Sequence, residues 1–149
     1  MIRTLLVLNS RRLQDSMHVE WSIERAVEIL KQNIDVDEAI ITFDQYGVSG
    51  HTNHKSCFHA VKQLALDHEC YQLKSFNIFT KYLGIFTFIV DKALFNKQDD
   101  LYVITPLQLM NNVYGAMQQH RSQLLWFRYL YLIASKYVFI NCMERIKPI

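Results

Sequence analysis

The sequence predicts an α/β fold in which a mostly parallel sheet is flanked by helices, and three observations support this. Thr4–Leu8 is a continuous aliphatic run, the pattern of a strand buried on both faces. From Trp21 to Ile34 apolar residues recur at every third or fourth position, as on one face of a helix. Ala39–Phe43 is a second run, rich in β-branched residues. Strand, helix and strand in this order form the crossover that joins parallel strands.

The elements that follow place a loop at the carboxyl end of the second strand. Ser22 is suited to cap the first helix. The segment Asp44–Asn53 contains Gly47 and Gly50, so it must be a loop. A helical stripe begins again at Asn53, so the loop runs into a helix N-terminus. In open α/β sheets, ligands bind at this edge.

The second half of the chain has weaker patterns. Tyr71–Asn77 and Leu101–Thr105 are predicted strands, and Pro106 begins a further helix. The stretch Ile78–Phe95 is apolar and ambiguous. Leu124–Ile140 is apolar and aromatic almost all round, so it is either a packed core helix or a surface-seeking one.

Length and composition limit the classes of protein to consider. A chain of 149 residues, 50% of them hydrophobic, is expected to form a single domain over residues 1–149. The net charge of +2 is too small to suggest a nucleic-acid partner, and none is expected. Three cysteines without CxxC spacing argue against a disulfide framework and favour a reducing compartment. Neither a signal peptide nor a transmembrane helix is expected, because the longest apolar stretches carry charges.

A pair of histidines, His51 and His54, is the sharpest chemical feature of the sequence. Their spacing at the start of a helix lets both imidazoles point toward one cavity. A catalytic zinc ion usually takes three protein ligands. On spacing alone, therefore, a pair of solvated or helix-capping histidines is the simpler interpretation.

Three segments carry a resemblance to a known family. FDQYGVSGHTNH, SFNIFTKYLG and AMQQHRSQLLWFRYLYLIASKY follow one another in the sequence. They resemble, in the same order, motifs of the de-N-acetylases of glycosylphosphatidylinositol-anchor synthesis, which are LmbE-like deacetylases. The resemblance implies a Rossmann-like α/β fold that is truncated at its N-terminal edge in this chain.

The resemblance also implies a reaction and two residue roles. Members of this family hydrolyse N-acetylglucosaminyl-phosphatidylinositol to the glucosaminyl lipid and acetate, with zinc as cofactor, at the cytoplasmic face of the endoplasmic reticulum membrane. The motif places a zinc ligand at His54 and the group that stabilises the oxyanion at His51. A cationic imidazole at His51 would offset the negative charge that develops on the acetyl oxygen.

The sequence departs from the family pattern at one decisive point. The His-Pro-Asp-Asp-Glu motif, which supplies the family's other metal ligands and its base, does not occur in this sequence. With His54 as its only family ligand, the chain alone is not expected to hold zinc tightly. A catalytically inactive interaction protein or a peripheral membrane protein is the alternative, and a deacetylase of another N-acetyl-sugar is a third.

Asp44 and Arg121 are tentative substrate-binding residues. Asp44 follows the second strand, where a carboxylate either binds a sugar hydroxyl, orients a ligand histidine or caps the loop. Arg121 pairs either with the inositol phosphate of the implied glycolipid or within the fold.

The C-terminal segment from His120 to Ile149 is basic and aromatic. It contains five basic residues, one acidic residue and six aromatic side chains between Trp126 and Phe139. This composition suits a membrane surface and equally suits a final helix that docks on the sheet. Protein partners are not indicated.

Overall fold

The computed structural model describes residues 13–16, 18–35, 37–82 and 100–148. They form a four-stranded sheet with helices, which confirms the α/β class. The predicted strand Thr4–Leu8 lies outside the described residues, as do positions 83–95 of the ambiguous stretch.

The chain alternates helices and strands. The helices are α1 (Ile23–Asn33), α2 (Thr52–Leu64), α3 (Ile78–Tyr82), α4 (Met110–Gln119), α5 (Trp126–Ala134) and α6 (Lys136–Phe139). The strands are β1 (Ile40–Phe43), β2 (Cys70–Leu73), β3 (Asp100–Ile104) and β4 (Ile140–Arg145). A tight turn, Gly47–Gly50, follows β1, and 3₁₀ turns occupy Leu107–Leu109 and Arg121–Gln123.

Helix α1 begins where the sequence predicts. The hydroxyl of Ser22 accepts a hydrogen bond from the backbone N–H of Arg25, so it satisfies one donor of the first turn. The inward face buries Ala26, while Val27 and Leu30 pack against the core. Hydrophobic periodicity and capping therefore agree in this element.

The sheet is mixed, because one strand runs against the direction of its neighbours. The strand order is β1-β2-β4-β3. Strand β4 is antiparallel to β3, with Asp100 opposite Glu144 and Ile104 opposite Ile140. It is also antiparallel to β2, because Lys74 N donates to Cys142 O at 2.9 Å and Ile146 N donates to Cys70 O at 2.8 Å. Strands β2 and β3 therefore share one direction, and β4 runs against both.

The described residues divide into two compact units, the first running up to Tyr71 and including Ile146 onward, and the second spanning Gln72–Arg145. The single domain predicted for residues 1–149 stays a prediction. In the first unit, a core is formed by the buried side chains of Ile40, Phe58, Val61, Leu64, Ala65, Cys70 and Ile146.

The second unit has its own buried residues, on α5, α6 and β4. They include Leu132, Val138, Ile140 and Cys142, together with the polar Ser135 and the cationic Lys136. Tyr137 links this region to the segment after β2, because its hydroxyl accepts from Phe76 N at 2.9 Å and donates to Lys74 O at 3.2 Å.

The C-terminal tail is more divided than the sequence predicts. Leu124–Ile140 was expected to be one helix, whereas α5 ends at Ala134, α6 is a single turn, and β4 follows at once. Strand β4 was not predicted. Within the described parts of the chain, no helix is long and apolar enough to cross a membrane.

Candidate active site at the end of strand β1

The loop after β1 is shaped by Asp44 and by three residues with positive φ. The Oδ1 atom of Asp44 accepts hydrogen bonds from the backbone N–H groups of Tyr46 and Gly47, at 3.1 and 3.0 Å. Gly47 and Gly50 have φ values of 63° and 80°, in the region that favours glycine. Val48 has φ 62° and ψ −47°, a strained conformation for a β-branched residue.

Gly47 also allows the loop to approach helix α2 closely. A Cβ atom built on Gly47 would lie 3.0 Å from the Cβ of His54 and 3.3 Å from the Cγ of Lys55. A side chain at this position would therefore displace His54. Gly50 has open space around it, so its requirement is conformational only.

His51 is the N-cap of α2, and this contact fixes the hydrogen-bonding state of its ring. Its Nδ1 atom accepts a hydrogen bond from the backbone N–H of Asn53 at 3.2 Å. An accepting Nδ1 carries no proton, so the neutral ring carries its proton on Nε2. Nε2 lies 3.6 Å from Oδ1 of Asp15, close enough for attraction but not for a direct hydrogen bond.

His54 has the opposite arrangement. Its Nδ1 atom lies 3.0 Å from the carbonyl oxygen of Gly47, and since a carbonyl only accepts, Nδ1 carries the proton. The lone pair of the neutral ring is then on Nε2. Metal-binding histidines have this arrangement, in which a backbone carbonyl holds the second ring nitrogen and orients the ligand.

The two imidazoles form a stack with Phe43, the last residue of β1. The rings of Phe43 and His54 are 3.8 Å apart with an interplanar angle of 11°. Those of His54 and His51 are 4.7 Å apart at 25°. The central ring of the stack is thus held on both faces and by a hydrogen bond, which restricts its rotation.

Asn53 connects this helix start to a segment far away in sequence. Its Nδ2 atom donates to Gln14 O at 3.3 Å and to Asp15 Oδ1 at 3.0 Å. The indole N–H of Trp21 also donates to Gln14 O, at 2.9 Å. The buried Oδ1 atom of Asn53 accepts no hydrogen bond from the part of the chain that the structure describes.

The number of available ligand side chains shows whether these residues could hold a zinc ion. His54 offers a suitable imidazole nitrogen. No group of three or more His, Cys, Asp or Glu side chains that could hold a metal ion occurs among the described residues. These residues therefore fit one position of a zinc site and do not complete it.

The chain has three cysteines, Cys57, Cys70 and Cys142. All three are free thiols. Cys57 on α2 has a pKa raised above its usual value, because burial disfavours the thiolate.

The tentative substrate-binding residues differ in their surroundings. Asp44 is buried, and its Oδ1 atom caps the loop. Loop capping was one of the three roles that the sequence left open for this residue. Arg121 is exposed in a 3₁₀ turn of the second unit. A role for either residue in substrate binding stays a prediction.

Sequence reasoning did not identify Phe43, Asn53 or Asp15 as site residues. Phe43 was assigned only to a strand, although its place directly before Asp44 puts it at the same sheet edge. Asn53 lies inside the GHTNH segment, so the motif itself was the available signal. The contact between Asp15 and Asn53 joins residues 38 positions apart and gives no local signal.

Comparison with known proteins finds several relatives that carry the same enzyme name. The chain is 33% identical over 148 residues to the N-acetylglucosaminyl-phosphatidylinositol de-N-acetylase of Bos taurus, covering 94% of this chain and 57% of the relative. For the enzyme of that name from Saccharomyces cerevisiae, the identity is 32% over 168 residues, covering 86% of this chain and 55% of the relative. A probable enzyme of that name from Schizosaccharomyces pombe is 30% identical over 149 residues, covering 93% and 59%.

The chain therefore spans between 55% and 59% of the length of these three relatives. No family model matches the sequence. No solved structure matches it either.

Proposed function

Because this chain is a relative of the N-acetylglucosaminyl-phosphatidylinositol de-N-acetylases, we propose that the protein carrying it hydrolyses N-acetylglucosaminyl-phosphatidylinositol. The products are glucosaminyl-phosphatidylinositol and acetate, in the second step of glycosylphosphatidylinositol-anchor synthesis. The observation that carries the proposal is the complementary pair of ring nitrogens: His51 offers an N–H donor and His54 a lone pair at the same sheet edge.

His51 acts on the acetyl oxygen in this proposal. When a water oxygen attacks the acetamide carbon, negative charge develops on the carbonyl oxygen, and a fixed N–H donor stabilises it. The proton on Nε2 of His51 supplies this donor in the neutral ring. The hydrogen bond that Nδ1 accepts from Asn53 N–H is compatible with this donor on Nε2.

His54 is the proposed zinc ligand, through Nε2. When bound, zinc would polarise the acetyl carbonyl and lower the pKa of a coordinated water molecule. The hydrogen bond to Gly47 O and the stack on Phe43 hold the His54 ring in one orientation, so the nitrogen is positioned before any ligand arrives. The other ligands would come from parts of the protein outside the described residues.

The proposed setting is the cytoplasmic face of the endoplasmic reticulum membrane, where the glycolipid substrate lies. A net charge of +2 gives no reason to propose a nucleic-acid partner.

The test separates catalysis by His51 from its capping role. Asparagine is among the best N-cap residues, so His51→Asn retains a side chain that can cap α2 while removing the imidazole. We expect the complete protein carrying His51→Asn to unfold at nearly the same temperature and to release acetate roughly 10²–10³ times more slowly. Acetate release from N-acetylglucosaminyl-phosphatidylinositol is the measurement.

His59→Ala is the matched control. His59 lies on the same helix, is exposed, and makes an edge contact with Phe58 at 5.2 Å. We expect this variant to retain activity. Unchanged turnover in His51→Asn would show that His51 has no catalytic role. No acetate from the unaltered complete protein would remove the enzyme proposal and favour the interaction or peripheral membrane protein.

A further inference from the structure

Helix α5 presents an apolar stripe to solvent. Trp126, Leu130 and Ile133 follow one another at helical spacing and are 75%, 56% and 66% exposed. Tyr129 lies on the same face and is 52% exposed. An ordinary amphipathic helix turns such a stripe toward the core, so this exposed face requires an explanation.

The opposite face of α5 is already packed within the second unit. Leu132 is only 2% exposed. The ammonium of Lys81, on the neighbouring α3, lies 5.9 Å from the ring centroid of Tyr131. The stripe is therefore the outer face of an anchored helix, and burying it would not require the helix to rotate.

Charges around the stripe have one sign. Residues 101–143 contain no Asp or Glu, and their solvent-accessible charged side chains are Arg121 and Arg128. The guanidinium of Arg128 lies 5.6 Å from the ring centroid of Phe127, so a cation is beside the exposed aromatic side chains. A cationic surface complements an anionic one.

The length of α5 and its residue types favour the interface of a lipid bilayer as the anionic partner. The nine residues of α5 extend roughly 13 Å, too short to span a bilayer but sufficient to lie in its interface. Tryptophan and tyrosine are enriched at the depth of lipid headgroups, because their rings have both apolar and polar parts. On neighbouring α3, Ile78 and Phe79 are also exposed, at 67% and 77%.

We propose that the exposed stripe of α5, formed by Trp126, Tyr129, Leu130 and Ile133, docks in the surface of an anionic phospholipid bilayer. This inference rests on the proposed function, since the substrate there is an anionic phosphatidylinositol lipid. The helix lies parallel to the membrane plane, with the stripe toward the acyl chains.

The experiment measures binding of the full 149-residue chain to vesicles, without any turnover. Vesicles of phosphatidylcholine with phosphatidylinositol are compared with vesicles of phosphatidylcholine alone. The chain is expected to bind the anionic vesicles more tightly, and increasing salt is expected to weaken that binding. The double variant Trp126→Gln/Leu130→Gln is expected to lower the partition coefficient about tenfold or more.

The matched control is Val19→Gln/Leu66→Gln, which changes two exposed apolar residues of the first unit, 53% and 73% exposed. It is expected to leave vesicle binding unchanged. Thermal unfolding of both variants checks that the fold is retained, and a single-residue variant, Leu130→Gln, replaces the double variant if that one fails to fold.

Two outcomes would overturn the inference. One is unchanged vesicle binding by the α5 variants. The other is an α5-dependent dimer, detected by light scattering, that leaves vesicle binding unaffected, because the stripe would then bind a second copy of the chain. A third outcome separates the two proposals. If the α5 variants lose vesicle binding while the unaltered complete protein releases no acetate, the docking inference is retained and the proposed function is rejected.

Discussion

Gly47 is needed for its backbone conformation and for the space beside it. Its φ of 63° is unfavourable for residues that carry a Cβ, and an added Cβ would lie 3.0 Å from the Cβ of His54. We expect Gly47→Ala to destabilise the fold by roughly 1–3 kcal/mol and to displace His54. Thermal unfolding of the chain and acetate release by the complete protein measure the two effects.

Gly115 provides the comparison for that substitution. It lies within α4, has open space around its Cα, and is not among the residues with positive φ. Gly115→Ala is expected to stabilise the helix by up to about 1 kcal/mol. If Gly47→Ala were as well tolerated as Gly115→Ala, neither the positive φ of Gly47 nor the close approach of the loop to His54 would contribute to stability.

His51 and His54 also differ in a way that the residue types do not reveal. Both are histidines of one motif, yet one ring accepts a backbone N–H and the other donates to a backbone carbonyl. The motif predicted that both lie at the end of β1. Which nitrogen carries the proton depends on the cap of α2 and on the turn at Gly47, so it required coordinates.

At the scale of elements, α6 buries a lysine between β4 and the segment after β2. Lys136 is 1% exposed, and its Nζ lies 3.8 Å from the ring centroid of Phe76. The pKa of Lys136 is lowered from 10.5 to about 8, mainly by burial, while nearby Cys142 raises it and Lys74 lowers it. Lys74 itself pairs with Glu144 at 2.9 Å.

This lysine predicts how stability depends on pH. Between about pH 8 and 10.5 the unfolded chain binds more protons at this residue than the folded chain, so stability contributed here rises with pH. The energetic penalty is fully present below pH 8. Lys136→Met is expected to stabilise the fold by roughly 1–3 kcal/mol at pH 7 and by less at pH 10.

Urea unfolding at both pH values measures this effect. Lys31→Met, an exposed lysine of α1, is the control and is expected to change stability equally at both pH values. A Lys136→Met protein that is less stable than the parent at pH 7 would show that the contact with Phe76 outweighs the cost of burial.

How well each element could be predicted depends on where its stabilising contacts lie. The helices α1 and α2 and the strand β1 follow from local periodicity, glycine positions and capping. Strand β4 does not, because it follows a long apolar and aromatic run and is defined by its pairing with β2 and β3. Phe43, Asn53 and Asp15 join the site through contacts across the fold, which local patterns do not encode.

At the scale of the molecule, the count of metal-binding residues predicts weak zinc binding by this chain alone. His54 is one suitable ligand, and the described residues contain no group of three that could hold a metal. Equilibrium dialysis is expected to show no sub-micromolar zinc binding. Tight binding that is lost in His54→Ala would contradict this and would place further ligands elsewhere in the chain.

The strand order also bears on the protein during its synthesis. Because β4 lies between β2 and β3, strand β3 has no partner in the described sheet until the ribosome has made residues 140–145. Domains generally fold as units, and unpaired strand edges favour aggregation. The nascent second unit therefore exposes an unpaired β3 edge until β4 leaves the exit tunnel, and a premature stop codon before β4 removes the strand with which both β2 and β3 pair.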